Sequence, residues 1–332
     1  MAPGGPVTPD SDTTLHPVLT WSRAWRSASR EFWSAQEPSG HFSTSAGEVL
    51  AEKLCEVVRS SDARLGHPGS FTVVDLGAGD GGLLAAIRDR CPEMQERARW
   101  IGVDVRAISR PGVEGRITEL PGDVLETPIL GVVMAHEWLD EIPCDVIERD
   151  RHGRDRLVLV QGDTEVLGPA LSDSMACEAL GVDADAVSSW LARWWPLREP
   201  GDRAEIGTTR DAAWQWMTGL LGRGVALATD YGHVRAERLT THRRGTLRAY
   251  RHGRVRPPVA DGSVGITADV SVDSCMAAVA GTTLTRQRTE LDGLSATAAI
   301  SSPAALERYF EVIRLRHSTG LGRFHWLRWE AW

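Results

Sequence analysis

At 332 residues the chain is long enough for one large α/β domain or two smaller ones, and for a sizeable core. Its 42% hydrophobic and 25% charged residues match ordinary globular composition and exclude bulk disorder. A formal charge of -8 and a pI near 5.7 argue against a general nucleic-acid-binding surface, which needs clustered positive charge. No apolar run approaches bilayer-spanning length, so neither nucleic acid nor membrane is expected as a partner.

Residues 1–14, rich in proline, glycine, serine and threonine, read as a flexible tail. They lack the basic-then-apolar layout of a signal peptide, so a cytoplasmic protein is expected. Five scattered cysteines, Cys55, Cys91, Cys144, Cys177 and Cys275, include no Cys-x-x-Cys pair; neither a disulfide framework nor a metal site is expected. Lys53 is the only lysine, a bias that points to a GC-rich genome and not to a mechanism.

Over 19–33, Trp21, Trp25 and Phe32 fall on one helical face, and over 45–60 Val49, Leu50, Leu54, Val57 and Val58 form a second apolar stripe. Residues 15–70 therefore read as an N-terminal helical cap, broken at Pro68 and Gly69. The β-branched stretch 71–76 predicts a buried strand, a tight glycine turn follows, and 83–90 returns to helical period. Further apolar strands are expected at 100–105, 129–135 and 225–231. Strands alternating with helical stretches imply crossovers, hence an α/β fold with a largely parallel sheet and helices on both faces. From 146 to 160 an alternating run with a polar turn predicts a hairpin, followed by a helical segment with Trp190, Trp194 and Trp195. Residues 146–204 thus read as an insertion, and 205–332 as the C-terminal half of the core.

A strand ending in Asp75, then Gly77, Ala78, Gly79 and Gly81 opening a helix, brings a ligand against bare backbone at a helix N-terminus. Gly77, Gly79 and Gly82 also satisfy the dinucleotide fingerprint, so an NAD-dependent oxidoreductase must be weighed. Three carboxylates favour S-adenosylmethionine (SAM). Asp75, two residues before the first glycine, suits the cationic amino-acid end of SAM and would repel a pyrophosphate. Asp104 ends the second strand, where it can accept hydrogen bonds from ribose hydroxyls, and Asp123 is a candidate contact for the adenine amino group. Residues 71–145 accordingly read as the SAM-binding half of the core. The bland alternative is that Asp104 and Asp123 cap turns.

After the 129–135 strand, the segment 135–143 sets His136, Glu137, Asp140 and Glu141 near the same sheet edge. Paired carboxylates there would orient a guanidinium or ammonium toward the sulfonium methyl, with His136 as an alternative general base. A helix N-terminal turn with acidic residues favouring the dipole is the competing reading of Asp140 and Glu141.

Five segments, taken in order, resemble the MidA-like family of class I methyltransferases, relatives of a mitochondrial complex I assembly factor. His41-Phe-Ser-Thr-Ser is similar to the family's Phe-Tyr-Thr-Ser, and Val74-Asp-Leu-Gly-Ala-Gly-Asp-Gly to its Glu-Leu-Gly-Pro-Gly-Arg-Gly loop. His136-Glu-Trp-Leu-Asp-Glu-Ile-Pro resembles Asn-Glu-Phe-Leu-Asp-Ala-Leu-Pro, and Thr229-Asp-Tyr-Gly-His the family's Asp-Tyr-Gly. Gly245-Thr-Leu-Arg-Ala-Tyr, then Ile266-Thr-Ala-Asp-Val, resembles the family's last shared stretch. The chain departs from the pattern at His136, where the family has asparagine, at Asp80, where it often has arginine, and at Gly265, where it has aspartate.

The resemblance implies a Rossmann-like class I fold, SAM as cofactor and a protein substrate methylated on arginine. Phe42, Thr44, Glu141 and Tyr231 are its candidate substrate contacts, with His136, Glu137 and Asp140 as candidate catalytic residues. A small-molecule methyltransferase and a catalytically silent SAM-binding assembly protein are the alternatives, and a homo-oligomer is open. Arg243, Arg244 and Arg248 read as a solvated basic loop, and most of the thirteen tryptophans as packing.

Overall fold

The computed structural model describes residues 17–35, 46–118, 125–294 and 302–332. The 1–14 tail, Phe42, Thr44 and Asp123 lie outside the described residues.

The expected Rossmann-like α/β core forms. Its sheet contains β1 (Phe71–Leu76), β2 (Ala98–Asp104), β3 (Glu114–Ile117), β4 (Ile129–His136), β5 (Leu221–Asp230), β6 (Thr283–Arg286) and β7 (His325–Ala331). The spatial order is β6-β7-β5-β4-β1-β2-β3. Strands β1 to β5 are parallel, while β7 pairs antiparallel with both β5 and β6 and so runs against the other six.

Strand β1 shows why this sequence makes a central strand. Phe71 and Val73 point into one core with Val49, Leu50 and Leu54 of the helix Glu48–Arg64. Val74 and Leu76 point into the opposite core with Trp214 and Met217 of the helix Thr208–Gly219. Period-two alternation thus delivers apolar groups to both faces, and Phe71, Val73, Val74 and Leu76 are all buried because neither face meets water. Each fully buried side chain of this size contributes roughly 1.5–3 kcal/mol.

A second layer stands beside the core. Val18–Thr20, Asp155–Gln161, Val146–Arg149 and Arg203–Glu205 pair in that order, with Thr164–Ala170 also on Asp155–Gln161, all antiparallel. The predicted hairpin is present, with Ile147 opposite Leu157. Arg248–Arg251, flanked by Arg254–Arg256 and Gly265–Thr267, makes a smaller sheet. The helix Trp21–Ala35 joins the two by burying Trp21, Trp25 and Ala28 among Val146, Val158, Ala249 and Ile266. The helices of the 15–70 stretch therefore belong to different layers: Trp21–Ala35 packs on the accessory sheets and Glu48–Arg64 on the core. Trp190 and Trp195 fill the other side of the larger accessory sheet with Ile147 and Leu159.

Candidate active site

The sheet reverses its winding between β1 and β4. From β1 the chain proceeds outward to β2 and β3, and from β4 to β5 on the other side. Loops leaving the carboxyl ends of β1 and β4 therefore splay apart, and a crevice opens where they part. A cleft of 1110 Å³ occupies that position, walled by Asp75, Gly77, Ala78, Gly79, Asp104, His136, Glu137, Asp140, Glu141 and Tyr231. Residues as far apart in sequence as Trp33 and Phe324 meet there. Gly81 stands off the wall: it is the left-handed residue that turns the chain into the helix Gly82–Asp89.

The glycine loop is held by β2. The N–H groups of Gly77 and Ala78 donate to Val103 O at 2.9 and 3.1 Å, and Gly79 N–H donates to Asp104 Oδ2 at 2.8 Å. Asp104 Oδ1 accepts from Arg106 N–H. Gly77 has a φ of +70°, and a Cβ there would lie 2.7 Å from Trp138 Cδ1. Only glycine meets both conditions. Asp80 accepts from Gly82 N–H and pairs with Arg110 at the loop's outer edge.

Asp75 lies at the loop's base, 2% exposed, and its carboxyl accepts no hydrogen bond from the described residues. Burial, with a smaller contribution from the nearby Asp104 charge, pushes its carboxyl up to about 8. The group is thus mostly neutral at pH 7 until a cation joins it.

Strand β4 ends at His136, and Glu137 takes a left-handed φ of +51° while its N–H donates to Thr229 O at 2.9 Å. That conformation is costly for a residue with a Cβ. It throws the chain sideways, so that Trp138 covers Gly77 and the turn Leu139–Glu141 passes beneath the cleft. His136 Nε2 sits 3.2 Å from Glu137 Oε1.

The Asp140 backbone is fixed from three sides. Its N–H donates to Asp230 Oδ2, and its carbonyl accepts from Arg210 Nη2 and Ala268 N–H. Its Oδ2 accepts from the Tyr231 hydroxyl, whereas Oδ1 is buried with no hydrogen-bond partner among the described residues. Burial raises the Asp140 carboxyl to about 7, with Tyr231 opposing and Glu137 adding to the rise. Burial also lifts Glu141 and Asp230, each reinforced by Asp140. Several carboxyl groups crowded at one cleft end favour a cationic occupant.

Aromatic rings stand over this acidic end: Phe324 lies 5.5 Å from Tyr231 and 6.4 Å from His136, centroid to centroid. Arg248, paired with Asp269, lies 5.3 Å from the Tyr231 ring. It is therefore a wall residue of the cleft and not part of a solvated loop. Sequence reasoning assigned no role to Asp230, Phe324 or Asp269. Asp230, Arg248 and Asp269 fall within the segments Thr229-Asp-Tyr-Gly-His, Gly245-Thr-Leu-Arg-Ala-Tyr and Ile266-Thr-Ala-Asp-Val, which carry their signal; Phe324 has none.

A family model described as "Putative S-adenosyl-L-methionine-dependent methyltransferase" matches residues 49–289. Among curated proteins no sequence matches. A Burkholderia thailandensis protein solved with S-adenosyl-homocysteine bound shares 18% identity and superposes with a TM-score of 0.74, over 94% of this chain and 88% of that one. A native structure from the same organism shares 19% identity, with a TM-score of 0.71 over 94% and 87%. These likenesses establish the fold.

Proposed function

The chain belongs to this family of S-adenosylmethionine-dependent methyltransferases, and from that premise we propose that it methylates a protein side chain, an arginine guanidinium. The glycine loop suits the cofactor: Gly77 leaves bare backbone where a Cβ would meet Trp138, and Asp75 is a buried carboxyl awaiting a cation. Asp75 takes the ammonium of SAM, Asp104 the ribose hydroxyls, Ala78 and Gly79 the loop face of the cofactor, and Asp123 the adenine amino group. Gly81 sets the turn that aims this loop. Bound there, SAM supplies an electrophilic sulfonium methyl.

The observation that carries the acceptor reading is Asp140, a cleft-lining carboxyl with one oxygen engaged by Tyr231 and the other buried with no hydrogen-bond partner among the described residues. A guanidinium presents planar N–H groups that match such carboxylates, and the Tyr231 and Phe324 rings suit its flat face. Asp140 and Glu141 hold the cation, Glu137 takes the proton that the substituted nitrogen must shed, and His136 keeps the Glu137 carboxylate in place. Phe42 and Thr44 are assigned to the peptide around the acceptor. Positioning carries most of the rate in such an in-line displacement.

The test is methyl transfer from labelled SAM to arginine-containing peptides and to proteins of a cell extract, followed by amino-acid analysis. Label in methylarginine, lost in Glu137→Gln while SAM still binds, is expected. Label on a small molecule only would favour the second reading, a small-molecule acceptor enclosed between the core and the accessory sheets.

A further inference from the structure

Cys55 and Cys91 are 36 positions apart in sequence, yet their Sγ atoms approach to 2.7 Å, one thiol donating to the other. Cys55 lies on the helix Glu48–Arg64, and Cys91 follows the helix Gly82–Asp89. Both are buried in the same core, whereas Cys144, Cys177 and Cys275 lie in three separate clusters. No other pair can therefore meet without unfolding.

The pair lies just beneath the surface. Arg59 crosses over it, donating to Arg90 O and to Glu93 Oε1, and the Arg59 side chain is itself half exposed. Cys55 Sγ is 3.5 Å from that same Arg90 carbonyl. A swing of one arginine would thus admit a small oxidant. The hydrogen bond with Cys91 lowers the Cys55 pKa against the effect of burial, with the Arg59 charge adding to the fall; Cys55, beside the Arg90 carbonyl that Arg59 also grips, is assigned as the attacking sulfur.

We propose that Cys55 and Cys91 form a reversible dithiol–disulfide site, oxidised by hydrogen peroxide, that staples together the two helices flanking the glycine loop. The Cys55 thiolate attacks one peroxide oxygen, the O–O bond breaks, and the departing hydroxide takes a proton to become water. Cys91, giving up its proton, then attacks the Cys55 sulfenic sulfur; the S–S bond forms, the S–O bond breaks, and a second water leaves. Two thiols are oxidised and one peroxide is reduced. The ring so closed contains β1 and residues 77–82, so it restricts the unfolded chain across the cofactor cradle.

The experiment treats the reduced full-length protein with peroxide near one equivalent, quenches it, denatures it in N-ethylmaleimide and maps the peptides. The expected result is alkylation of Cys144, Cys177 and Cys275 only, a Cys55–Cys91 linked peptide that dithiothreitol releases, and a Tm raised by roughly 5 °C. In Cys91→Ser the oxidation stops at a Cys55 sulfenic acid, captured by dimedone, with no rise in Tm. Alkylation of all five cysteines after peroxide, pairing with any other cysteine, or sulfinic acid at Cys55 in the unaltered protein would overturn the proposal. The peptide map on that protein decides the matter even if the variant does not fold.

Discussion

Replacing Asp75 by asparagine separates the cost of a buried carboxyl from its use. In the free protein this group titrates at about 8, and an ammonium brought against it returns it toward the ordinary value of about 3.9. Between those values the free protein holds a proton that the SAM complex does not, so binding releases one proton and affinity rises with pH. The slope approaches tenfold per unit well below pH 8 and flattens toward it, so affinity climbs about 50-fold from pH 6 to pH 8, about 2.3 kcal/mol. Titration calorimetry at pH 7 in two buffers of different ionisation enthalpy counts the proton, and a pH series gives the slope. Asp75→Asn is expected to bind weakly and with no slope over that range. Flat affinity in the unaltered protein, no released proton, and full affinity in Asp75→Asn would together refute the reasoning.

Without SAM, the same group acts on stability with a definite sign. Its folded pKa lies above the unfolded one, so its contribution is fully present below about pH 4 and is lost as pH rises through about 8. Asp75→Asn should therefore resist urea better than the parent at pH 8, by at most about 5 kcal/mol, with the gap closing toward pH 4. Gly77→Ala sets a Cβ 2.7 Å from Trp138 at a φ of +70°; a loss of about 1–3 kcal/mol and of SAM binding is expected from melts with and without the cofactor. Arg210 is buried and donates to the carbonyls of Ile142, Asp140 and Asp269. Arg210→Ala should cost about 3–5 kcal/mol in denaturant titration, since those acceptors lose a charged donor together. Tyr231→Phe frees Asp140 Oδ2; kcat is expected to fall by about 10- to 100-fold with SAM affinity unchanged, as steady-state rates and direct binding would report.

The core was legible where local sequence decides structure. The expected 71–76 strand is β1 to the residue, and the 129–135 strand ends at His136, one position later. Both are apolar stretches closed by a glycine or a polar turn. The strand expected at 225–231 begins at Leu221, because Gly222, Arg223 and Gly224 hide its start and the β4 pairing shifts register there. The terminal tryptophan-rich run gave no sign that it would slot between β5 and β6 as the reversed strand β7, since pairing partners are not encoded locally. The glycine-loop end of the cleft follows one contiguous stretch, Asp75 to Gly82, that local sequence marks. The opposite end draws Arg248 from the small accessory sheet, Asp269 from just after that sheet's last strand and Phe324 from near the C-terminus, and spacing rules carry no information about that meeting.

The accessory layer leaves and rejoins the core repeatedly, drawing on Trp21–Ala35, on Val146–Arg149 through Arg203–Glu205, and on Arg248–Arg251 with Gly265–Thr267. It behaves as a braced frame and not as a hinged door, because the chain fastens it at several places. Arg248 and Tyr250 face the cleft from that frame, while Asp75, Gly77 and Asp104 belong to the core. Substitutions on the frame are thus expected to reshape the cleft wall at Arg248 and Tyr250 while the glycine loop, anchored in the core, keeps its form.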